Sequence, residues 1–158
     1  MTSTSTGREI DVAAVHEAQP IGQDWAAWLR WATRQPAVRA FGLEPVAIGD
    51  GHAVLSLTTS LTPLNPNGAV HGGLVAALVD QVGSIATLTR AQPRHGVLTC
   101  TLHVEYLRAA RLPLTCVADV VRSSSSVIFT RVQILSGGAV CATGSGTWLP
   151  KAYPAGVS

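Results

Sequence analysis

From Trp25 onward the apolar residues fall in a helical rhythm. Trp25, Trp28, Leu29 and Ala32 stand at i, i+3, i+4 and i+7, one stripe of an amphipathic helix. Pro36 is expected to end or kink it. Trp31 lies off that stripe, so it either widens the core face or looks toward a ligand tunnel or a partner. Between Leu43 and Ser60 the period drops to two. Ala53, Leu55 and Leu57 alternate with Val54, Ser56 and Thr58, and Gly49-Asp50-Gly51 makes a turn between two strands. The stretch LTPLNPNGAVHGG, dense in Pro, Asn and Gly, reads as a loop.

A second helix is expected from Gly72 or Gly73 to Arg90. Its stripe is Leu74, Leu78, Val82, Ile85 and Leu88 or Thr89. Ala76, Ala77, Gly83, Ser84 and Ala86 are small enough to let it lie close against a sheet, at a cost in helix propensity at Gly83. Almost no position is charged, so burial nearly all round is expected. Strand patterns then run to the end. In VLTCTLHVEYLR, Leu98, Cys100, Leu102, Val104 and Tyr106 fall on one face and Thr99, Thr101, His103 and Glu105 on the other. LPLTCVADVVR, VIFTRVQIL and AVCATGSGTWL, separated by SSSS and SGG, read as three strands joined by hairpins.

The order is helix, two strands, helix, four strands. Strands joined by hairpins make an antiparallel sheet, and such a sheet can enclose one apolar helix by curling around it. That is an α+β domain. Neither a repeat nor a long linker divides the chain. Residues 1–20 read as a loose polar tail, 21–42 as an N-terminal helical segment, 43–150 as the main domain and 151–158 as a second tail.

Composition narrows the picture. A chain of 158 residues suits one core. Charged residues make up 13% and apolar residues 47%, rich enough to suggest that apolar surface is buried against another copy. A net charge of +2, with no basic stripe interleaved with aromatics, argues against nucleic acid. The ten Arg and one Lys read as scattered solvated groups. Cys100, Cys116 and Cys141 lack metal-ligand spacing and each lies in a strand pattern, so all three are expected to be buried free thiols in a reducing compartment. The first twenty residues lack the apolar stretch of a secretory signal, and no apolar run reaches the ~18 residues a membrane span needs. A cytoplasmic location is expected.

Two features carry candidate chemistry. Asp80 is a lone carboxylate in an apolar helix, costly unless hydrogen-bonded. It is either a structural acid or a base or nucleophile aimed into a pocket. Gly72 and Gly73 open the same helix, where free N–H groups and a partial positive charge collect. Glycines there leave the amides unshielded and able to polarise a carbonyl, unless they only serve a tight turn or close packing. His71 stands just before them and can cap the helix, position a neighbour or contact substrate. Gly72 and Asp80 are eight residues apart, about 12 Å along one helix. One helix cannot easily bring both to a single carbonyl. Two antiparallel copies can, which gives two sites in a two-fold dimer.

The pattern N-x-x-G-x-x-H-G-G-x(6)-D, formed by Asn65, Gly68, His71, Gly72, Gly73 and Asp80, closely resembles the hotdog-fold acyl-CoA thioesterases. The nearest group is the phenylacetate-pathway (PaaI-like) type with its animal relatives, and the resemblance spans about residues 40 to 150. It implies a hotdog fold: an antiparallel curved sheet wrapped around one long central helix, with the N-terminal helix as an extra. It also implies that Asp80 activates water or attacks the thioester, and that the Gly72 amide polarises the carbonyl. Asn65 would hold the carbonyl or the water, and His71 would support Asn65 or the thioester. Thr99 matches a Ser or Thr that assists the acid in relatives, although its alternation puts it on the polar face with Thr101 and Glu105. Gly73 would contact substrate, and Arg90, Arg94, Arg108, Arg111 and Arg122 are candidates for the CoA phosphates. The resemblance further implies a homodimer, usually paired into a tetramer, with a site between subunits, no metal and no cofactor, the CoA thioester being substrate.

Two other functions are open to such a domain. A non-catalytic acyl-CoA binder or sensor would have no need to desolvate a carboxylate, which the Asn65/Gly72/Asp80 set argues against. A hotdog hydratase or dehydratase would need His71 or His103 beside Asp80.

Overall fold

A computed structural model describes residues 19–153. Most of the two expected tails lies outside those residues. Helix α1 (Trp25–Arg34) starts where Asp24 accepts the Ala27 amide at 3.0 Å. It stops at Arg34, two residues before Pro36, which opens the short helix α2 (Pro36–Phe41), a position where its missing N–H costs nothing. Trp31 is 5% exposed and meets Trp28 edge-to-face with centroids 5.5 Å apart. It therefore widens the core face and does not look outward.

Strands β1 (Glu44–Gly49) and β2 (His52–Leu57) pair across Asp50-Gly51, and Ala53, Leu55 and Leu57 point inward as their alternation requires. The long helix α3 (Gly72–Leu88) follows the loop. Then come β3 (His95–Tyr106), β4 (Leu114–Ser123), β5 (Ile128–Ser136) and β6 (Ala139–Ala152). All pairings are antiparallel, in the order β1-β2-β4-β5-β6-β3. The expected hairpins β4–β5 and β5–β6 are present. The strand β3 does not pair with its successor but crosses to the far edge beside β6, a non-local pairing that no turn signal announces. The sheet wraps α3, which touches β2, β3, β4, β5 and β6. This is the hotdog arrangement, with α1 as an addition against β1.

Small residues set how closely helix and sheet approach. A Cβ on Gly83 of α3 would come within 2.8 Å of the Trp148 ring, and one on Gly146 within 2.6 Å. Trp148 is fully buried between them, and its indole N–H donates to Ser84 Oγ at 3.0 Å. The expectation that α3 is buried nearly all round is corrected on one side. Leu78, Val79, Val82 and Ile85 are covered, but Ala76, Ala77, Asp80, Gln81 and Ser84 are only half-buried. That side lies beside β3, whose outer edge has no strand partner among the described residues.

Candidate active site

The loop before α3 is built by Asn65. Its side-chain Oδ1 accepts the amides of Asn67 at 2.9 Å and Ala69 at 3.0 Å, and its own backbone bonds to Ala69 and Gly68. Gly68 has φ +67°, a left-handed turn that suits glycine. The Val70 amide donates to the Ala110 carbonyl at 2.8 Å, tying the loop to the connection between β3 and β4. Asn65 and Gly68 thus have a local reason for their spacing. With Oδ1 engaged, the Asn65 side-chain nitrogen makes no hydrogen bond among the described residues.

His71 is the N-cap residue of α3. Its ring makes no capping bond and is exposed. The first turn contains no acidic residue, and its leading N–H groups have no intrahelical acceptor. The two glycines differ in surroundings. A Cβ on Gly72 would stand 3.3 Å from the Tyr106 ring, whereas one on Gly73 would meet nothing within 4 Å. Gly72 is therefore close-packed and Gly73 faces open space. The Tyr106 hydroxyl also donates to the Gly72 carbonyl oxygen at 2.8 Å. Tyr106 was not singled out by motif. Its only sequence signal is that it shares alternation with Leu102 and Val104.

Asp80 stands two turns further along α3, half-buried, and its Oδ1 accepts the Thr99 hydroxyl at 2.7 Å. The strict alternation read from sequence places Thr99 on the opposite face, and the structure corrects it. The register of β3 against β6 shifts between Thr99 and Thr101, so Thr99 pairs with inward-facing Trp148 while Thr101 pairs with Thr147. Cys100 is the extra residue of this bulge. Thr99 turns toward α3, Leu98 turns out and is 52% exposed, and Cys100 is exposed rather than buried. Cys116 and Cys141 are buried as expected.

The arginines separate by place. Arg111 Nη1 lies 3.4 Å from the Gly68 carbonyl, on the site loop, and Arg108 follows β3, its amide donating to the Cys141 carbonyl. Arg90 pairs with Asp50 at the C-terminal end of α3, and Arg94 lies in the loop beyond it with φ +62°. Arg122 lies on β4. The cavity beside α1, about 160 Å³ and lined by Trp25, Trp28, Asp50 and Thr89, is also at that far end. His103 is on the outer sheet face, paired with Ser145 and 3.8 Å from Glu105. It is not beside Asp80, and His71 is nine residues from Asp80 along the chain, so within one chain neither histidine pairs with Asp80 among the described residues.

Comparison with known proteins agrees with this geometry. Residues 67–142 match the thioesterase superfamily model. A protein of Halobacterium salinarum, provisionally named an esterase, is 39% identical over 72 residues, which is 44% of this chain and 47% of that protein. The chain thus spans about half the length of this curated relative. Among solved structures, a conserved protein of Pseudomonas aeruginosa superposes with TM-score 0.71 at 25% identity, over 77% of this chain and 98% of its own. The phenylacetic acid degradation protein PaaI of Thermus thermophilus, in a mutant form, gives 0.64 at 26% identity over 73% and 98%. The PaaI protein of E. coli gives 0.69 at 18% identity over 77% and 88%, a likeness of fold alone. Residues 67–142 are thus similar in sequence to the thioesterase superfamily, and the fold around them is that of a hotdog domain.

Proposed function

We propose that the protein hydrolyses an acyl-CoA thioester to the free acid and CoA, in a site completed by a second copy of the chain. The observation that carries this reading is the Thr99–Asp80 pair. It fixes a carboxylate on the half-covered side of α3, with one oxygen bonded and the other unpaired among the described residues. A helix start with free amides and an unobstructed Gly73 stands eight residues away on the same helix, about 12 Å off. A partner's α3 lying antiparallel would bring its own Gly72 amide opposite Asp80.

In this scheme the carbonyl oxygen rests on the partner's Gly72 N–H. Asp80 takes a proton from water as the water oxygen bonds to the carbonyl carbon. The C–S bond then breaks, the thiolate of CoA leaves with its electron pair, and the proton held by Asp80 goes to that sulfur. Direct attack by Asp80 would give an anhydride that water then opens. Single turnover in H₂¹⁸O separates the two, because only direct attack leaves label in the Asp80 carboxylate. No metal is needed, since the thiolate is already a good leaving group. Asn65 and His71 flank the helix start and would hold the carbonyl or the water. Arg111, against the loop at the Gly68 carbonyl, is the arginine placed best for CoA phosphates, with Arg108 three residues before it in the chain.

The test is thiol release from a panel of acyl-CoAs. Turnover is expected, and Asp80→Asn should lower kcat by at least about 10²-fold, the scale for losing a base, with the melting temperature retained. Binding across the panel without turnover would replace this reading with that of an acyl-CoA sensor.

A further inference from the structure

Tyr106 joins the two parts of the site that motif reading leaves separate, the helix start and the neighbouring strand. It is the last residue of β3. The bulge at Cys100 sets Leu102, Val104 and Tyr106 on the α3 side of the sheet. Its ring lies over Gly72, so closely that a Cβ there would be 3.3 Å from Cε1, and its hydroxyl donates to the Gly72 carbonyl at 2.8 Å. A side chain at Gly72 would therefore press on the Tyr106 ring, which would have to give by a few tenths of an ångström. At Gly73 the φ is not left-handed and a Cβ would meet open space. The Gly73 backbone is therefore open to approach from outside the chain.

The Gly72 carbonyl belongs to the same peptide unit as the Gly73 N–H. A hydrogen bond received by a carbonyl polarises its peptide and makes the attached N–H a stronger donor. From this geometry we infer that Tyr106 is a positioning residue for carbonyl activation. It clamps the first turn of α3 and polarises the Gly72–Gly73 peptide, so that the Gly73 N–H acts with that of Gly72 on the developing oxyanion. This rests on the thioesterase reading of the site. It adds a second donor and names the residue that tunes it. Preorganised donors strengthen most as charge develops on the oxygen, so the effect belongs in kcat and not in substrate binding.

The test is Tyr106→Phe, which keeps the ring over Gly72 and removes only the hydroxyl. The expected result is a fall in kcat of about three- to tenfold, the range of one neutral hydrogen bond, with KM within about twofold and an unchanged melting temperature. Wild-type kcat in Tyr106→Phe, alongside an inactive Asp80→Asn, would overturn the inference and leave the thioesterase reading standing. A wild-type protein inactive on every thioester would instead remove the reading itself. If Tyr106→Phe does not fold, a second measurement decides. The chain has two tyrosines, so Tyr153→Phe leaves Tyr106 alone, and biosynthetic 3-fluorotyrosine then makes that one hydroxyl a stronger donor. kcat should rise above that of the unfluorinated Tyr153→Phe protein. An unchanged kcat overturns the role.

Discussion

Thr99 reaches Asp80 across 2.7 Å only because β3 carries an extra residue, Cys100, between it and Thr101. In a regular strand Thr99 would share the outer face with Thr101 and His103. The bulge rotates one hydroxyl inward without moving the rest of that face. Thr99→Val, close to the same shape without the donor, should reduce kcat about tenfold or more, since hydrogen bonds to charged groups are the stronger kind. Thr99→Ser should keep most of the activity. Steady-state rates of the three proteins decide it, and equal rates for Val and wild type would remove Thr99 from the site.

How far the sequence alone led depends on the range of each interaction. Helix α3, the β1–β2 turn and the hairpins β4–β5–β6 were legible because periodicity and turn residues act over a few positions. The loop motif was legible for the same reason: Asn65 caps amides two and four residues on. What stayed hidden was non-local. The seat of β3 beside β6 joins residues about fifty apart, and the bulge that sets Thr99 exists only relative to β6. The position of Tyr106 over Gly72 depends on both. Alternation therefore gave the wrong face for Thr99, Leu98 and Cys100 and the right one for Leu102, Val104 and Tyr106.

The contact of α3 with β6 predicts stability. Trp148 fills the space left by Gly83 and Gly146, so an added methyl at either meets the indole. Gly83→Ala gains helix propensity of about 1 kcal/mol, but overpacking a rigid buried ring costs typically 1–3 kcal/mol. Net destabilisation is expected by chemical denaturation. Trp148→Phe should relieve part of it, so Gly83→Ala combined with Trp148→Phe should be less unstable than the sum of the two alone. Strict additivity would mean the ring is not what the methyl meets.

Burial raises the Cys116 thiol from 9.0 to about 12, with neighbouring Cys141 adding to the rise. Cys141 is also raised by burial, partly offset by backbone hydrogen bonds and Arg108. Both should resist a thiol reagent at pH 8 in the folded protein and react once it is unfolded. The sign for stability follows from linkage. The folded pKa lies above the unfolded one, so the contribution is complete below about pH 9 and lost as pH climbs toward 12. Over that window Cys116 alone should lower unfolding free energy by up to about 1.4 kcal/mol per pH unit. Cys116→Ala should make denaturation midpoints less steep in pH there, which urea titrations at successive pH values would record.

The proposal of a site shared between two copies makes the sharpest demand. β3 presents twelve residues whose outer edge has no strand partner among the described residues, and Tyr106 and Leu102 on its helix side are 55% and 36% exposed. Beside them the Asp80 side of α3 is only half-covered. A second copy laid antiparallel would satisfy the edge and cover that side, so sedimentation should find a dimer or a higher even assembly. Asp80→Asn removes the acid. Gly73→Val blocks the helix start with a side chain whose Cβ would stand in open space, and an unchanged melting temperature should show its fold intact. Each alone should be nearly inactive. If every site takes its acid from one protomer and its amides from the other, exchange between the two variants restores one native site in each mixed dimer. Mixing equal amounts should then recover up to about one quarter of wild-type activity, as random two-fold pairing requires. If each protomer holds a complete site of its own, the mixture stays as inactive as its parts, and the two-chain catalytic scheme is wrong.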